Sequence, residues 1–272
     1  MFDFDYVRPA SVADAVAALG AGGERSLLAG GQTLLPTLKQ RLANPDALVD
    51  LGSIADLKGI RRDGTTLTIG ATTIHAEVAA SAEVRGAIPA LAVLAETIGD
   101  AQVRNRGTLG GSIANNDPSA DYPAAVLGLG ATIITNSREI AAGDYFTGLF
   151  ATALQPGEII TAVRFPVPAR AGYAKFAQRA SRYALVGVFV SKVASGVGEV
   201  RVAVTGAGDG GVFRAASLEK ALAISTTPET ARGVTVTADG LLSDLHASAD
   251  YRAALIPEMA ARALESGWSG MG

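Results

Sequence analysis

The stretch that decides the fold is a glycine turn, Leu28-Ala29-Gly30-Gly31-Gln32-Thr33-Leu34. It follows an apolar segment at residues 26–29 that predicts a strand, and it precedes a predicted helix at residues 34–42. Two glycines at the end of a strand can turn successive backbone N–H groups towards one point, and this makes an anion site. A helix N-terminus would reinforce that site. Taken alone, the turn fits a tight strand–helix connection without a ligand equally well.

A second segment combines glycines with hydroxyl groups. It consists of Thr97-Ile98-Gly99-Asp100 and Arg104-Asn105-Arg106-Gly107-Thr108-Leu109-Gly110-Gly111-Ser112. Hydroxyl groups and freed backbone amides suit phosphate oxygens. Arg104 and Arg106 could add positive charge, but we interpret them as structural or partner-facing residues, because long cationic side chains often pack along a surface.

A third segment reads Asn115-Asn116-Asp117-Pro118-Ser119-Ala120-Asp121. A carboxylate here suits a ribose hydroxyl or an adenine amine. The structural alternative is that Asp117-Pro118 starts a turn and that Asp121 caps a helix beginning at Pro123. Three such segments within about a hundred residues suit an extended cofactor with a pyrophosphate in its middle.

A competing motif lies nearer the C-terminus. Residues 206–211, Gly206-Ala207-Gly208-Asp209-Gly210-Gly211, match the G-x-G-x-x-G fingerprint of a Rossmann dinucleotide site and follow a predicted strand. However, Val212-Phe213-Arg214 separates the last glycine from any helix, and about twenty residues on, at Ala231, there is no predicted second strand carrying the acidic residue that the fingerprint requires. We therefore interpret the motif as a glycine-rich connection.

Composition excludes several classes of function. The 272 residues carry a net charge of −3, which argues against a nucleic-acid partner. There is no cysteine and only His75 and His246, so the chain offers no disulfide, no iron–sulfur ligands and no metal site. The longest apolar run, residues 123–134, is interrupted by glycines and is too short for a membrane span. The acidic N-terminus does not resemble a secretion signal, so we expect a cytoplasmic protein.

The pattern predicts three units. Residues 1–54 give strand, glycine turn, helix and strand. Residues 55–168 give a hairpin around Asp63-Gly64, helices at 74–80, 88–98 and 123–129, strands at 131–135 and 158–165, and a stretch at 99–121 with little regular pattern, which we interpret as a functional loop. Pro166-Val167-Pro168 marks a boundary. Residues 169–272 give strands at 173–178, 185–193 and 200–205 and helices at 217–224 and 251–265.

The residues of the first two segments resemble a known family. Residues 29–34 and 97–100 are similar to the two FAD motifs of molybdenum hydroxylase flavoproteins, the xanthine dehydrogenase family, which includes the medium subunit of aerobic carbon monoxide dehydrogenase. Residues 102–112 and 202–208 extend the resemblance over nearly the whole chain. It implies an α+β fold: a two-part FAD-binding domain of the vanillyl-alcohol-oxidase (PCMH) type at residues 1–54 and 55–168, followed by a small α+β C-terminal domain with a three-stranded sheet and a terminal helical bundle.

The resemblance also implies a set of cofactor-binding residues. The first turn would wrap the FAD pyrophosphate, the second motif would pack beside the flavin and its phosphates, and Tyr183 would lie near the isoalloxazine ring. The structural alternative for Tyr183 is an aromatic residue in the core at a strand edge. The full set is Leu28, Ala29, Gly30, Gly31, Gln32, Thr33, Leu34, Thr97, Ile98, Gly99, Asp100, Thr108, Gly111, Ser112, Asp121 and Tyr183.

Some residues depart from the pattern of the relatives. Many of them have histidine in place of Gln32 and glycine in place of Asp100, and an aspartate at the latter position resembles the carbon monoxide dehydrogenase version. These departures put a local polar contact in doubt but not FAD binding. We interpret His75 as a structural residue at a helix start, not as a catalytic one.

The resemblance predicts a role within a complex. A large partner subunit would oxidise the substrate at a molybdenum cofactor, and a small partner subunit would carry two iron–sulfur clusters. This chain would pass the electrons to quinone, NAD or another acceptor, in a dimer of heterotrimers, either free in the cytoplasm or peripheral to the inner face of the membrane. No catalytic residue is expected here. The alternatives are a self-contained FAD-dependent oxidase or dehydrogenase, a Rossmann-type binder, and a non-enzymatic assembly subunit with degenerate flavin motifs.

Overall fold

The structure is a computed structural model that describes residues 1–194 and 199–268. In this part of the chain the strands form three main sheets and a two-stranded hairpin. Each main sheet lies within one of the three predicted units. The mixture of helices and separate sheets confirms the predicted α+β class.

The first unit is a small parallel sheet with two helices. Its elements are β1 (Asp5–Val7), α1 (Val12–Leu19), β2 (Arg25–Leu28), α2 (Leu34–Lys39) and β3 (Ala47–Asp50). β3 lies between β1 and β2 and runs parallel to both. The glycine turn therefore leaves the sheet at the carboxyl end of β2, which is the edge where open parallel sheets bind their ligands. Helix α2 ends at Lys39, earlier than the predicted end at residue 42.

The second unit is a five-stranded antiparallel sheet with helices packed on it. Its elements are β4 (Ile60–Asp63), β5 (Thr66–Gly70), α3 (His75–Ala80), α4 (Ala82–Ala87), α5 (Pro89–Glu96), α6 (Ala101–Arg104), α7 (Leu109–Asn115), α8 (Tyr122–Leu129), β6 (Thr132–Thr135), β7 (Glu139–Ala141), α9 (Ala142–Tyr145), β8 (Phe146–Gly148), β9 (Ala151–Thr152) and β10 (Ile160–Pro166). The strand order is β4-β5-β10-β6-β7, and β8 and β9 form the separate hairpin. The predicted hairpin around Asp63-Gly64 is β4–β5.

The prediction that residues 99–121 lack regular structure is wrong. Helices α6 and α7 lie within this stretch. Asp100 caps α6 by accepting a hydrogen bond from the Val103 amide, and Thr108 caps α7 by accepting one from the Gly111 amide. These helices are only four and seven residues long. Helices of that length show too little of the 3.6-residue period to be recognised in a sequence.

The third unit is a four-stranded antiparallel sheet, and the predicted three-stranded sheet is therefore wrong by one strand. Its elements are β11 (Arg170–Ala177), β12 (Ala184–Lys192), β13 (Val200–Thr205), β14 (Phe213–Arg214), α10 (Ala216–Ile224), α11 (Pro228–Arg232) and α12 (Ala249–Trp268). Strand β14 has two residues, too few for an alternating pattern. Helix α12 packs on β11 and β12, so the predicted helical bundle is a helical layer on a sheet.

The second and third units share one hydrophobic core. Phe189 on β12 and Ala203 on β13 belong to the same buried cluster as the α8 residues Val126 and Leu129. Gly128 favours this close packing, because a β-carbon there would lie 3.1 Å from the Phe189 ring, which is tighter than ordinary contact. The last unit is therefore joined to the front of the molecule by packing. Among the described residues, no helix has the length and apolar character needed to cross a membrane.

Candidate cofactor site

The first predicted segment forms an open turn with unused hydrogen-bond donors. Gly31 has a φ of +72°, a conformation that favours glycine. The backbone N–H groups of residues 30–33 donate no hydrogen bond to any residue that the structure describes. Gln32 and Thr33 are exposed, and the Thr33 side chain makes no capping bond to α2. A row of free N–H groups is the arrangement that binds an anion such as a pyrophosphate.

The first and second segments lie against each other. A β-carbon on Gly30 would lie 2.1 Å from the carbonyl oxygen of Arg106 and 2.7 Å from the Cα of Gly107. A β-carbon on Gly111 would lie 3.8 Å from that of Ala29. The fold thus brings together two segments that are far apart in the sequence. Gly30 is required for this approach.

The backbone amides that begin α7 are already engaged. The N–H groups of residues 109–111 donate, in order, to the Thr73 carbonyl oxygen at 3.1 Å, the Ala71 carbonyl oxygen at 2.8 Å and Thr108 Oγ1 at 3.1 Å. The expectation that this run supplies freed amides to a phosphate is therefore wrong at these positions. The hydroxyl hydrogen of Thr108 and the half-buried Ser112 hydroxyl remain as donors.

Arg104 holds the other half of the second segment in place. Its Nη1 atom donates to the carbonyl oxygens of Ile98 at 3.0 Å and Gly99 at 3.2 Å. Gly99 has a φ of +48°, so the turn that leads to Asp100 is left-handed at this point. The interpretation of Arg104 as a structural residue is confirmed. The Arg106 side chain is exposed, and its predicted partner-facing role stays a prediction.

His75 is buried beneath the second segment. It is the first residue of α3, and its backbone N–H donates to the Gly107 carbonyl oxygen at 3.0 Å. Its Nε2 atom lies 2.6 Å from where a β-carbon on Gly107 would be. Burial, with the nearby positive charge of Arg104, lowers the pKa of His75 to about 4. His75 is therefore neutral near pH 7, and its place in the core confirms the interpretation of a structural residue.

Asp121, from the third segment, lies inside the protein. Its side chain accepts a hydrogen bond from the Tyr173 hydroxyl, and its Oδ1 atom lies 2.9 Å from Lys175 Nζ. Burial raises the pKa of the Asp121 carboxyl, while Lys175 and Tyr173 act in the opposite direction. The alternative that Asp121 caps the following helix is wrong, because its side chain makes no capping bond to α8. Its predicted contact with a cofactor stays a prediction.

Tyr183 lies beside a small cleft between the second and third units. Its side chain is half exposed, on the hairpin that joins β11 and β12. A cleft of about 190 Å³ separates this hairpin from the third segment, and its lining includes Asp117, Ser119, Ser181 and Tyr183. The alternative of a core aromatic residue is wrong for Tyr183, since its ring is accessible. The ring is thus available to a planar ligand at the edge of this cleft.

The Rossmann-like motif is a packed connection. It leads from β13 to β14, which pair antiparallel, whereas a Rossmann site needs a helix at that point. The Gly206 amide donates to the Pro118 carbonyl oxygen at 2.8 Å, so it is not free for a phosphate. A β-carbon on Gly208 would lie 2.3 Å from the Gly211 carbonyl oxygen. The interpretation of a glycine-rich connection is confirmed.

Lys175 is a residue of this region that the sequence does not single out. It stands alone on a strand, with no motif around it, and only the fold shows that its side chain is 7% exposed.

Among the described residues, no cluster of histidine, aspartate and glutamate could hold a metal ion.

Comparison with known proteins identifies the family. The pattern described as the FAD binding domain in molybdopterin dehydrogenase matches residues 2–168. The chain belongs to this family. As a molybdopterin dehydrogenase flavoprotein it is an oxidoreductase chain, and the prediction of FAD as its cofactor is confirmed.

Curated relatives of this flavoprotein are medium subunits. The carbon monoxide dehydrogenase medium chain of Hydrogenophaga pseudoflava is 34% identical, with 98% of this chain and 97% of the relative covered. The nicotine 6-hydroxylase medium subunit of Paenarthrobacter nicotinovorans is 36% identical, with 95% of each chain covered. The glyceraldehyde dehydrogenase medium chain of Sulfolobus acidocaldarius is 35% identical, with 80% of each covered. These relatives are thus subunits of enzymes that are named for very different substrates.

Solved structures confirm the fold of the flavoprotein. Carbon monoxide dehydrogenase from Hydrogenophaga pseudoflava, in a form lacking the Mo-pyranopterin moiety, matches with a TM-score of 0.86 and 35% identity over 98% of each chain. Quinoline 2-oxidoreductase from Pseudomonas putida 86 matches with a TM-score of 0.86 and 31% identity over 97% of this chain and 96% of that one. The predicted PCMH-type FAD-binding domain followed by a small α+β domain is confirmed.

Proposed function

We propose that this chain is the electron-transfer flavoprotein subunit of a heteromeric molybdenum hydroxylase. It takes electrons from two iron–sulfur clusters of a small partner subunit and passes them to an external acceptor, such as a quinone or NAD. A large partner subunit oxidises the substrate at a molybdenum cofactor. That substrate is carbon monoxide, an N-heterocycle, a ketone or an aldehyde. Similarity to medium subunits over almost the full chain supports this proposal. So does the lack of cysteine, because the clusters must then lie in another chain.

The observation that carries the proposal is the row of free N–H groups at residues 30–33. They lie at the carboxyl edge of a parallel sheet, against the turn at Arg106 and Gly107. Such donors suit the two negative charges of a pyrophosphate. Residues 28, 29 and 34 flank the turn and set its position.

The other predicted residues would contact the rest of the cofactor. In this proposal residues 97–100 lie beside the flavin and its phosphates, and Tyr183 lies against the isoalloxazine ring. Phosphate, ribose and adenine are assigned to the side chains of Thr108, Ser112 and Asp121. Gly111, whose amide is engaged, would contribute only close approach, because it has no side chain. When bound, FAD supplies the redox chemistry, and the protein holds and orients it.

The test is to isolate the complex through an affinity tag on the full-length chain in its native host. We expect FAD in equimolar amount with this chain, together with molybdenum, iron and two further subunits. Cell fractionation would test the cytoplasmic location and any attachment to the inner face of the membrane. A tagged chain that purifies alone and oxidises an organic substrate would favour a self-contained flavin oxidase or dehydrogenase. A chain that cannot be reconstituted with FAD would contradict both.

A further inference from the structure

Lys175 is a buried cation whose hydrogen-bond donors are all used within the protein. It lies on β11 with its side chain 7% exposed. Its Nζ atom donates to the carbonyl oxygen of Thr97 at 3.0 Å and to that of Arg182 at 2.8 Å, and it lies 2.9 Å from Asp121 Oδ1. An ammonium group has three N–H donors, so none is left over for a ligand.

The three partners of Lys175 come from three parts of the proposed flavin site. Thr97 opens the second segment, Asp121 closes the third, and Arg182 directly precedes Tyr183. The family match ends at residue 168, so Lys175 lies outside the FAD-binding domain as that match defines it. One side chain thus ties the domain to the hairpin that carries Tyr183.

The hairpin needs such a tie. Arg182 has a φ of +61°, a left-handed conformation that is unfavourable for a residue with a β-carbon and persists only where its surroundings hold it. The Arg182 amide donates to the Gln178 carbonyl oxygen at 2.8 Å, and Lys175 holds the Arg182 carbonyl oxygen. These two bonds fix the direction in which the chain enters Tyr183.

We propose that Lys175 is a positioning residue for the flavin: it sets the gap between the turn at residues 97–100 and the Tyr183 ring. The inference rests on the proposed function, since that gap is where the flavin ring would lie. Lys175 acts through Thr97 and Arg182 and does not itself contact the cofactor, because its donors are engaged. Loss of the ammonium group lets the Tyr183 hairpin move away from the FAD-binding domain.

A purely structural role for Lys175 predicts a different outcome. Removing one partner of a buried ion pair leaves the other charge uncompensated and destabilises the protein, whereas removing both can be nearly neutral. The single variant Lys175→Met therefore combines the cost of an uncompensated Asp121 charge with the loss of the bonds to Thr97 and Arg182. The double variant Lys175→Met/Asp121→Asn removes both charges. Because Asp121 is itself assigned to the cofactor, the single variant Asp121→Asn, which keeps the bonds from Lys175 to Thr97 and Arg182, is the reference for the double variant.

The experiment uses the full-length chain, purified with any subunits that accompany it. FAD is removed and added back to the wild type, to both Lys175 variants, to Asp121→Asn and to Lys220→Met, a control that changes an exposed lysine on α10. Three quantities are measured: thermal stability, the FAD dissociation constant and the fluorescence of bound flavin. An aromatic ring stacked on a flavin quenches its fluorescence, so the third quantity reports the position of Tyr183.

We expect the double variant to regain most of the thermal stability lost by the single one. Its FAD dissociation constant should still be larger than that of Asp121→Asn by roughly tenfold or more, and its bound flavin should fluoresce more strongly than in Asp121→Asn. The Lys220 control should match the wild type in all three. A double variant with the affinity and quenching of Asp121→Asn would overturn the inference while the proposed function stands. Failure of the wild type itself to bind FAD would overturn both.

Discussion

Gly30 packs against Arg106 so closely that a β-carbon on Gly30 would lie 2.1 Å from the Arg106 carbonyl oxygen. This approach joins the turn after β2 in the first unit to the turn between α6 and α7 in the second, and it places the free N–H groups of residues 30–33 beside the second motif. Gly30 is thus needed for contact between its own backbone and that of residues 106 and 107, and it also lets a ligand approach closely. Substitution at this position therefore tests how the site is assembled.

Gly30→Ala should lower the free energy of unfolding by about 1–3 kcal/mol, because a backbone carbonyl cannot move aside as a side chain can. FAD occupancy should fall with it. Gly31→Ala should also reduce occupancy, since Gly31 is left-handed, although its nearest neighbour is the flexible Leu35 side chain. Gly86→Ala is the matched control: it lies in α4 with open space around it, and alanine there should stabilise the helix by up to about 1 kcal/mol. Chemical denaturation and flavin content measure these effects. Full flavin content in both turn variants, with loss after a change at Gly206, would support the Rossmann alternative.

Gln32→Glu should weaken FAD binding by about tenfold or more, because it places a carboxylate beside the N–H groups that we assign to the pyrophosphate. Gln32 is exposed, so the fold should tolerate the change. Gln40→Glu adds the same charge at another exposed position just after α2 and serves as the control. Titration of the apoprotein with FAD gives both dissociation constants. Equal affinities for the two variants would remove the turn from the proposed site.

Stability should fall as the pH drops from about 6.5 to 4, because of His75. Its pKa is lowered from 6.5 to about 4 in the folded protein, so in this range the unfolded chain binds more protons than the folded one. The sign follows: stability rises with pH through this window, is fully present above pH 6.5 and is lost towards pH 4, by about 3 kcal/mol in total. Urea unfolding at several pH values measures the slope. His75→Gln should flatten the curve in this window, and a variant with an unchanged slope would contradict the assignment.

Tyr183→Ala should raise the fluorescence of bound flavin if the ring stacks on the isoalloxazine as we propose. Tyr251→Ala is a matched control, since the exposed fractions of the two side chains are 48% and 46% and Tyr251 lies on α12. The control should leave the fluorescence at the wild-type level. Emission of flavin-saturated samples at equal concentration makes the comparison. An unchanged signal in Tyr183→Ala would place the flavin ring elsewhere.

The parts of the fold that could be predicted are those with a local signal. The glycine turn after β2, the hairpin at Asp63-Gly64 and the buried helix α8 each have turn residues or apolar runs in their own sequence. Helices α6 and α7 could not be found in this way, because four and seven residues show too little of the helical period, and the bonds from α7 to residues 71–73 form only in the folded chain. The same holds for β14, which exists only because β13 lies beside it.

The candidate site also has features with a local signal in the sequence and features that depend on the fold. Motifs identified the segments, but they could not show which amides stay free. Residues 109–111 belong to a motif as clear as the first one, yet the backbone at residues 71–73 and the Thr108 side chain take up their donors. Lys175 had no signal at all, since its importance depends on three partners distant in sequence. Only the hydrogen bonds of the folded chain show which donors are engaged and which stay free.

The bonds between the third segment and the last sheet have a consequence for biosynthesis. Thr205 Oγ1 lies 2.6 Å from the Ala120 carbonyl oxygen, and the Gly206 amide donates to that of Pro118. A nascent chain still attached to the ribosome lacks these anchors until β13 has emerged. If the third segment contacts FAD as we propose, flavin uptake is therefore expected only after β13 has left the ribosome.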